Sequence, residues 1–210
     1  MKATFRIILA SAIAALFLFS TTPAQADSGE RISDYLVDVE ITADGRTLIT
    51  EEITYDFGYS DKHGIFRSIP MWDDLPNDLR RTYDVTIDSV LMDGNAVVVE
   101  EIEEDPFLTL KIGSPDFTVS GTHTYEISYV ISNALTVLTQ KDVDAIPNNT
   151  EVKAGDVEFY WDVIGSEWQV PIDSAVISIS TKSAPLIRDC YAETECTRET
   201  GPTYTTFSVV

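Results

Sequence analysis

Beyond its first 26 residues the chain alternates apolar and polar positions with a period of two and shows almost no helical period. Tyr35, Val37, Val39 and Ile41 interleave with Leu36, Asp38 and Glu40, and after Asp44-Gly45 the alternation resumes in Ile49, Ile53, Tyr55 and Phe57. Such runs mark strands with one buried face, and an Asp-Gly pair between two of them marks a tight hairpin. A second Asp-Gly, Asp93-Gly94, follows Tyr83, Val85 and Ile87; short runs at 97–99 and 107–112 come after it. His123, Tyr125, Ile127, Tyr129 and Ile131 share one parity, and further strands are expected at 157–163, 175–181 and 204–209. Roughly eight to ten short strands between Gly-, Pro- and Asn-rich turns predict an all-β fold, because an open sheet needs a second layer over its apolar face. The expected form is a mostly antiparallel β-sandwich, immunoglobulin-like in a loose sense. Its long loops fall at 58–64, 70–82 and 133–155, with a short helix over 133–141.

The leader changes the compartment expected for this fold. Lys2 and Arg6 precede an apolar run over 7–19 broken only by Ser11, and Ala24-Gln25-Ala26 supplies a small-x-small cleavage site. This is the pattern of an export signal over 1–26, too short for a spanning helix of about 20 residues. The exported chain, 27–210, is expected to be one extracytoplasmic domain, secreted or held in the cell envelope. Losing Lys2 and Arg6 from 14 basic residues leaves 12 against 35 acidic ones, so the net charge moves from -21 to -23. Phosphate backbones and anionic lipid repel such a surface, which argues against nucleic acid and leaves an envelope protein or a basic wall component as expected partner. Cys190 and Cys196 are the only cysteines; in an oxidising compartment they are expected to form a disulfide closing a short loop.

Candidate chemistry is sparse. Glu51 shares the parity of Ile49 and Ile53, so alternation aims its carboxylate at the core, where it needs a partner. Arg67 is the expected one, since its fork can take a carboxylate in two hydrogen bonds. The structural reading is an ion pair pinning a loop to the sheet; the functional one makes Glu51, His63 and Arg67 the floor of a ligand site. The stretch 156–172 is dense in aromatics: Val157, Phe159, Trp161 and Val163 are expected in the core, and Glu158, Tyr160 and Asp162 on a candidate partner surface. No HExxH helix, G-x-S-x-G elbow or Walker loop occurs, so no catalytic residue, metal ligand or cofactor is assigned. The oxygen-rich loop of Asp142, Asp144, Asn148, Asn149 and Glu151 is a weak calcium candidate, spoiled as an EF-hand by Pro147 and a missing glycine. The alternative to a non-catalytic module is a carbohydrate-binding or hydrolytic domain using Trp72, Tyr160 or Trp168 as a sugar platform.

Four segments in order carry a resemblance. Asp44-Gly45 is followed by Ile49-x-Glu51-x-Ile53-x-Tyr55-x-Phe57, then by His63-Gly64-Ile65-Phe66-Arg67-Ser68-Ile69-Pro70. Gly121-x-His123-x-Tyr125-x-Ile127-x-Tyr129 comes next, and Glu158 to Gly165, with Trp168, Pro171 and Ile172, closes the series. Spanning most of 32–179, this pattern resembles the amino-terminal extracytoplasmic part of a bacterial family of predicted membrane proteins, domain of unknown function 2207. The resemblance implies architecture and location but no biochemical activity. It also implies that membrane-spanning segments follow the β region. This chain stops at Val210, inside an expected strand, so the expectation is either an incomplete coding region with the anchor beyond it or a soluble exported variant, with membrane association only through such an anchor or an uncleaved leader.

Overall fold

A computed structural model of the chain describes residues 29–75, 79–146, 151–182, 190 and 196–209. The leader over 1–26 lies outside the described residues. In chain order the strands are β1 (Arg31–Ile41), β2 (Thr47–Asp56), β3 (Ile65–Pro70), β4 (Trp72–Leu75), β5 (Leu79–Thr82), β6 (Asp84–Met92), β7 (Asn95–Ala96) and β8 (Val99–Glu104). They continue as β9 (Phe107–Ile112), β10 (Thr122–Ser132), β11 (Leu135–Val137), β12 (Val157–Phe159), β13 (Ala175–Thr181), β14 (Cys196–Thr200) and β15 (Tyr204–Val209), with the helix α1 (Gln140–Ala145) between β11 and β12.

Eight strands make the main sheet in the order β14-β15-β13-β1-β2-β10-β6-β7, and β3-β9-β8 make a second. Every pairing is antiparallel except β1 with β13, which run parallel with Val37 opposite Ile177. The alternation read from the sequence decides which face is buried: Tyr35, Val37 and Val39 of β1, Ile49 and Ile53 of β2, and Tyr125, Ile127 and Tyr129 of β10 point inward. Ile65 and Ile69 of β3 and Leu108, Leu110 and Ile112 of β9 join them in one buried cluster, so the two sheets face each other as a sandwich. Two-residue periodicity dictates this, because each strand of a two-layer fold has one dry face and one wet face.

Several elements differ from the sequence expectation. The β6 hairpin turns at Asp93-Gly94, both with positive φ as a tight primed turn requires. Its return strand is only two residues long; the chain then crosses to the second sheet as β8, whose Glu-rich sequence hides the strand period. The expected loop over 70–82 contains the β4–β5 hairpin. The helix expected over 133–141 starts later, at Gln140, because Thr139 and Asp142 form a capping box there. The strand expected over 157–163 stops at Phe159, and Val157 is 57% exposed instead of lying in the core. β12 pairs with β11 alone, outside both main layers, so its outer positions have nothing to pack on. Cys190 and Cys196 form the expected disulfide, which ties the first residue of the edge strand β14 to the chain before it.

Within the second sheet, the ends of the neighbouring strands β3 and β9 are brought together by a close backbone approach. Gly64, just before β3, and Gly113, just after β9, have φ of +133° and +140°, and a Cβ on either would run into the carbonyl preceding the other. Only glycine fits both the conformation and the space. Gly64→Ala or Gly113→Ala is expected to lower stability by about 3 kcal/mol, as a strained φ adds to a backbone clash. Urea unfolding measures it, and a midpoint equal to the parent's would show that the approach is not required.

Candidate functional site

Glu51 sits at the middle of β2 on its inward face and Arg67 at the middle of β3 on the opposing face, so their side chains meet between the sheets. They are 0% and 2% exposed. Arg67 Nε donates to Glu51 Oε2 at 2.7 Å and Nη2 to Oε1 at 2.7 Å, the two-pronged pairing the sequence suggested. Tyr35 of β1 donates its hydroxyl to Oε2 at 2.7 Å and Tyr129 of β10 donates to Oε1 at 2.6 Å. Each carboxylate oxygen therefore accepts two bonds. Two of the three remaining guanidinium protons are used as well: Nη1 donates to the Ser68 carbonyl at 2.6 Å and Nη2 to the Val163 carbonyl at 3.3 Å.

Val163 belongs to an irregular strap over 160–172 that covers this pair. A Cβ at Gly165, whose φ is +81°, would collide with Arg67 Nη1, so glycine is required for the strap to lie against the guanidinium. Asp162 Oδ1 accepts from the Gly165 amide at 3.1 Å and shapes the turn. Trp168 packs edge-on against Tyr35 at 5.8 Å while its Nε1 donates to the Ile164 carbonyl at 2.9 Å. Trp161 packs edge-on against Tyr83 at 4.8 Å. It is half-buried and outside any strand, and its buried Nε1 has no partner among the described residues. Phe159 and Val163 likewise press on the core from its rim. The backbone enters the main sheet again where Ile32 N donates to the Pro171 carbonyl at 3.0 Å.

The other sequence candidates do not join this cluster. His63 is exposed, and its Nδ1 lies 3.0 Å from the carbonyls of both Ser114 and Phe117, holding two loops together. Glu158, Tyr160 and Asp162 are exposed, as expected of a surface set. His123 stands at the sheet rim, 2.7 Å from Asp93, whose carboxyl is held below its usual range first by the Thr124 amide and then by His123. In the candidate calcium loop Asn148 and Asn149 lie outside the described residues; Asp142 accepts from Thr139 in the helix cap and Asp144 from Gln140. Among the described residues no three metal-ligating side chains gather. The three platform rings are dispersed in role: Arg80 covers the Trp72 face at 3.4 Å, Trp168 rests on Tyr35, and Tyr160 alone is open. Sequence reasoning missed Tyr35 and Tyr129, whose inward parity was legible but whose hydroxyls needed a partner that only the sheet register reveals.

Burial works against the charge on Arg67, and the Glu51 carboxylate overrides it, keeping the guanidinium protonated well above its ordinary range. Burial above all pushes the Tyr35 and Tyr129 hydroxyls well above theirs; the Glu51 carboxylate adds to this and the Arg67 cation opposes it, the opposition ranking second to burial at Tyr35 and behind Glu51 at Tyr129. Arg67→Met leaves Glu51 buried without its cation and is expected to cost about 3–5 kcal/mol in urea unfolding; a loss below about 1 kcal/mol would contradict the role of the pair. A second expectation follows from the tyrosines. They ionise near pH 10.0 when unfolded but stay protonated well above it when folded, so the folded chain binds more protons there. Their stabilising contribution is complete below that pH and is lost as pH rises beyond it, by about 1.4 kcal/mol per pH unit for each tyrosine. Tyr129→Phe should make the fall shallower, and a stability that stays level from about pH 10 to about pH 11 would refute the assignment.

Native leukotriene A4 hydrolase from Saccharomyces cerevisiae superposes with a TM-score of 0.50 at 11% identity, over 85% of this chain and 26% of that one. The M1 zinc metallopeptidase from Deinococcus radiodurans gives a TM-score of 0.45 at 11% identity, over 86% of this chain and 38% of that one. The chain thus spans well under half of either enzyme, and at this identity the likeness to the yeast protein is one of fold alone. No protein of curated function matches it in sequence. Among the described residues no helix is long and apolar enough to cross a membrane. Residues 31–208 match the family described as "Predicted membrane protein (DUF2207) N-terminal domain", and the chain belongs to that family.

Proposed function

We propose that the chain is a non-catalytic, extracytoplasmic module of an envelope membrane protein, a single domain from about Asp27 onward, that acts by holding an envelope protein or a wall component. The observation that carries this reading is the sealed state of the Glu51–Arg67 cluster. Its carboxylate oxygens are saturated by protein donors and its members are at most 2% exposed, so it joins layers instead of meeting a substrate. The leader pattern and the Cys190–Cys196 bond both fit an oxidising compartment outside the cytoplasm. The acidic surface disfavours nucleic acid and favours a cationic partner.

Immobilised protein incubated with envelope extract should retain a component saturably. Retention should weaken as salt rises above about 0.15 M, where screening shortens to about 8 Å. An extract from which nothing is saturably retained at low salt would overturn the reading.

A further inference from the structure

The outer face of the main sheet is not a uniform polar surface. Register aligns Thr206 of β15, Ser178 of β13, Asp38 of β1, Thr50 of β2, Ser128 of β10 and Ser89 of β6 in one rung running across six strands. These side chains are short, and taller ones stand on both sides. On one side are Tyr204, Glu40 and Leu48, with the short Ser180 between the first two; on the other are Leu36 and Glu52, next to the smaller Val176 and Ser208. The result is a trough perpendicular to the strands. It deepens over β15, β13, β1 and β2 into a depression of about 320 Å³ bordered by Asp38, Glu40, Leu48, Thr50, Ser178 and Tyr204. Five strand spacings of about 4.8 Å make the trough about 24 Å long.

Its chemistry is mainly of one sign. The outward positions of these strands carry Asp34, Asp38, Glu40, Glu52 and Glu126; at their margins Arg31 is bound to Asp56 and Asp173, Arg46 is bound to Asp44, and the exposed Lys182 follows β13. The floor consists mainly of hydroxyls, which both donate and accept as sugar hydroxyls do. Tyr204 is 51% exposed and Leu36 43%, giving apolar contact at the rims. The Tyr204 ring is held in place from behind, since a Cβ at Gly201 would strike it. A peptide laid across the strands meets backbone groups already paired within the sheet, so it gains no strand addition, which needs a free edge.

From this geometry we propose that the trough binds a linear polysaccharide bearing free amino groups. The ammonium groups pair with Asp38 and Glu40, the hydroxyls meet the Ser and Thr floor, and the sugar C–H faces lie on Tyr204. The inference rests on the binding-module reading and gives that module its ligand class.

Calorimetric titration of the protein with a β-1,4-glucosamine hexamer, its N-acetylated counterpart and hexalysine tests it. The amino hexamer should bind saturably, and the N-acetylated one about tenfold more weakly for want of charge-assisted bonds. Tyr204→Ala and Asp38→Asn should each weaken binding about tenfold, and Ser178→Arg, which sets a cation in the trough, should abolish it. Glu101→Gln with Glu103→Gln, on β8 of the other sheet, should leave it unchanged, and thermal unfolding verifies that each variant is folded. Absence of saturable heat, equal binding of hexalysine, or an equal loss with the β8 variant would each overturn the assignment. Saturable retention of an envelope component that survives Tyr204→Ala and Ser178→Arg would leave the module standing and remove the trough. If retention and titration both fail, both readings fall.

Discussion

One ion pair spans the sandwich, and the arrangement of the inner layers is organised around it. Bringing an arginine and a glutamate out of water costs several kcal/mol per ion, and the attraction between them offsets this only when the remaining protons and lone pairs are also satisfied. Here nearly all are: Tyr35 and Tyr129 complete the carboxylate from the flanking strands, and the Ser68 and Val163 carbonyls take two of the three guanidinium protons that Glu51 leaves. The consequence is geometric more than energetic. A slip of one residue in β2 would turn Glu51 outward and leave Arg67 buried alone, so the cluster specifies register in β1, β2 and β10 and the placement of β3 at once.

The same cluster explains the densest aromatic stretch of the chain. The strap over 160–172 leaves the strand conformation to close one side of the ion-pair cluster with the Val163 carbonyl, Gly165 and Trp168, while Trp161 packs on Tyr83. Its large side chains cover polar atoms and rim apolar ones. That use leaves little of its aromatic surface for a ligand, Tyr160 excepted. The reactive-looking interior is thus committed to structure, and the partner surface proposed above lies on the outer face of the main sheet. There the register brings residues from six strands into one trough whose walls and floor no local sequence segment contains.

The sequence by itself determined the strand alternation, the first hairpin, the all-β class and the inward aim of Glu51, because a period of two needs only nearest neighbours to be read. It also pointed to Arg67, from the need of a buried carboxylate for a forked donor, and to the disulfide, from two cysteines in an export context. It did not reveal β8 in Val99–Glu104, where glutamates occupy four of six positions, nor that the run beginning at Val157 leaves its sheet after Phe159. Only the tertiary structure decided that His63 stays away from Glu51, that Tyr35 and Tyr129 complete its shell, and that hydroxyls distant in the chain align across the sheet. Those facts depend on register and on which layers face each other, and both arise from contacts between residues tens of positions apart.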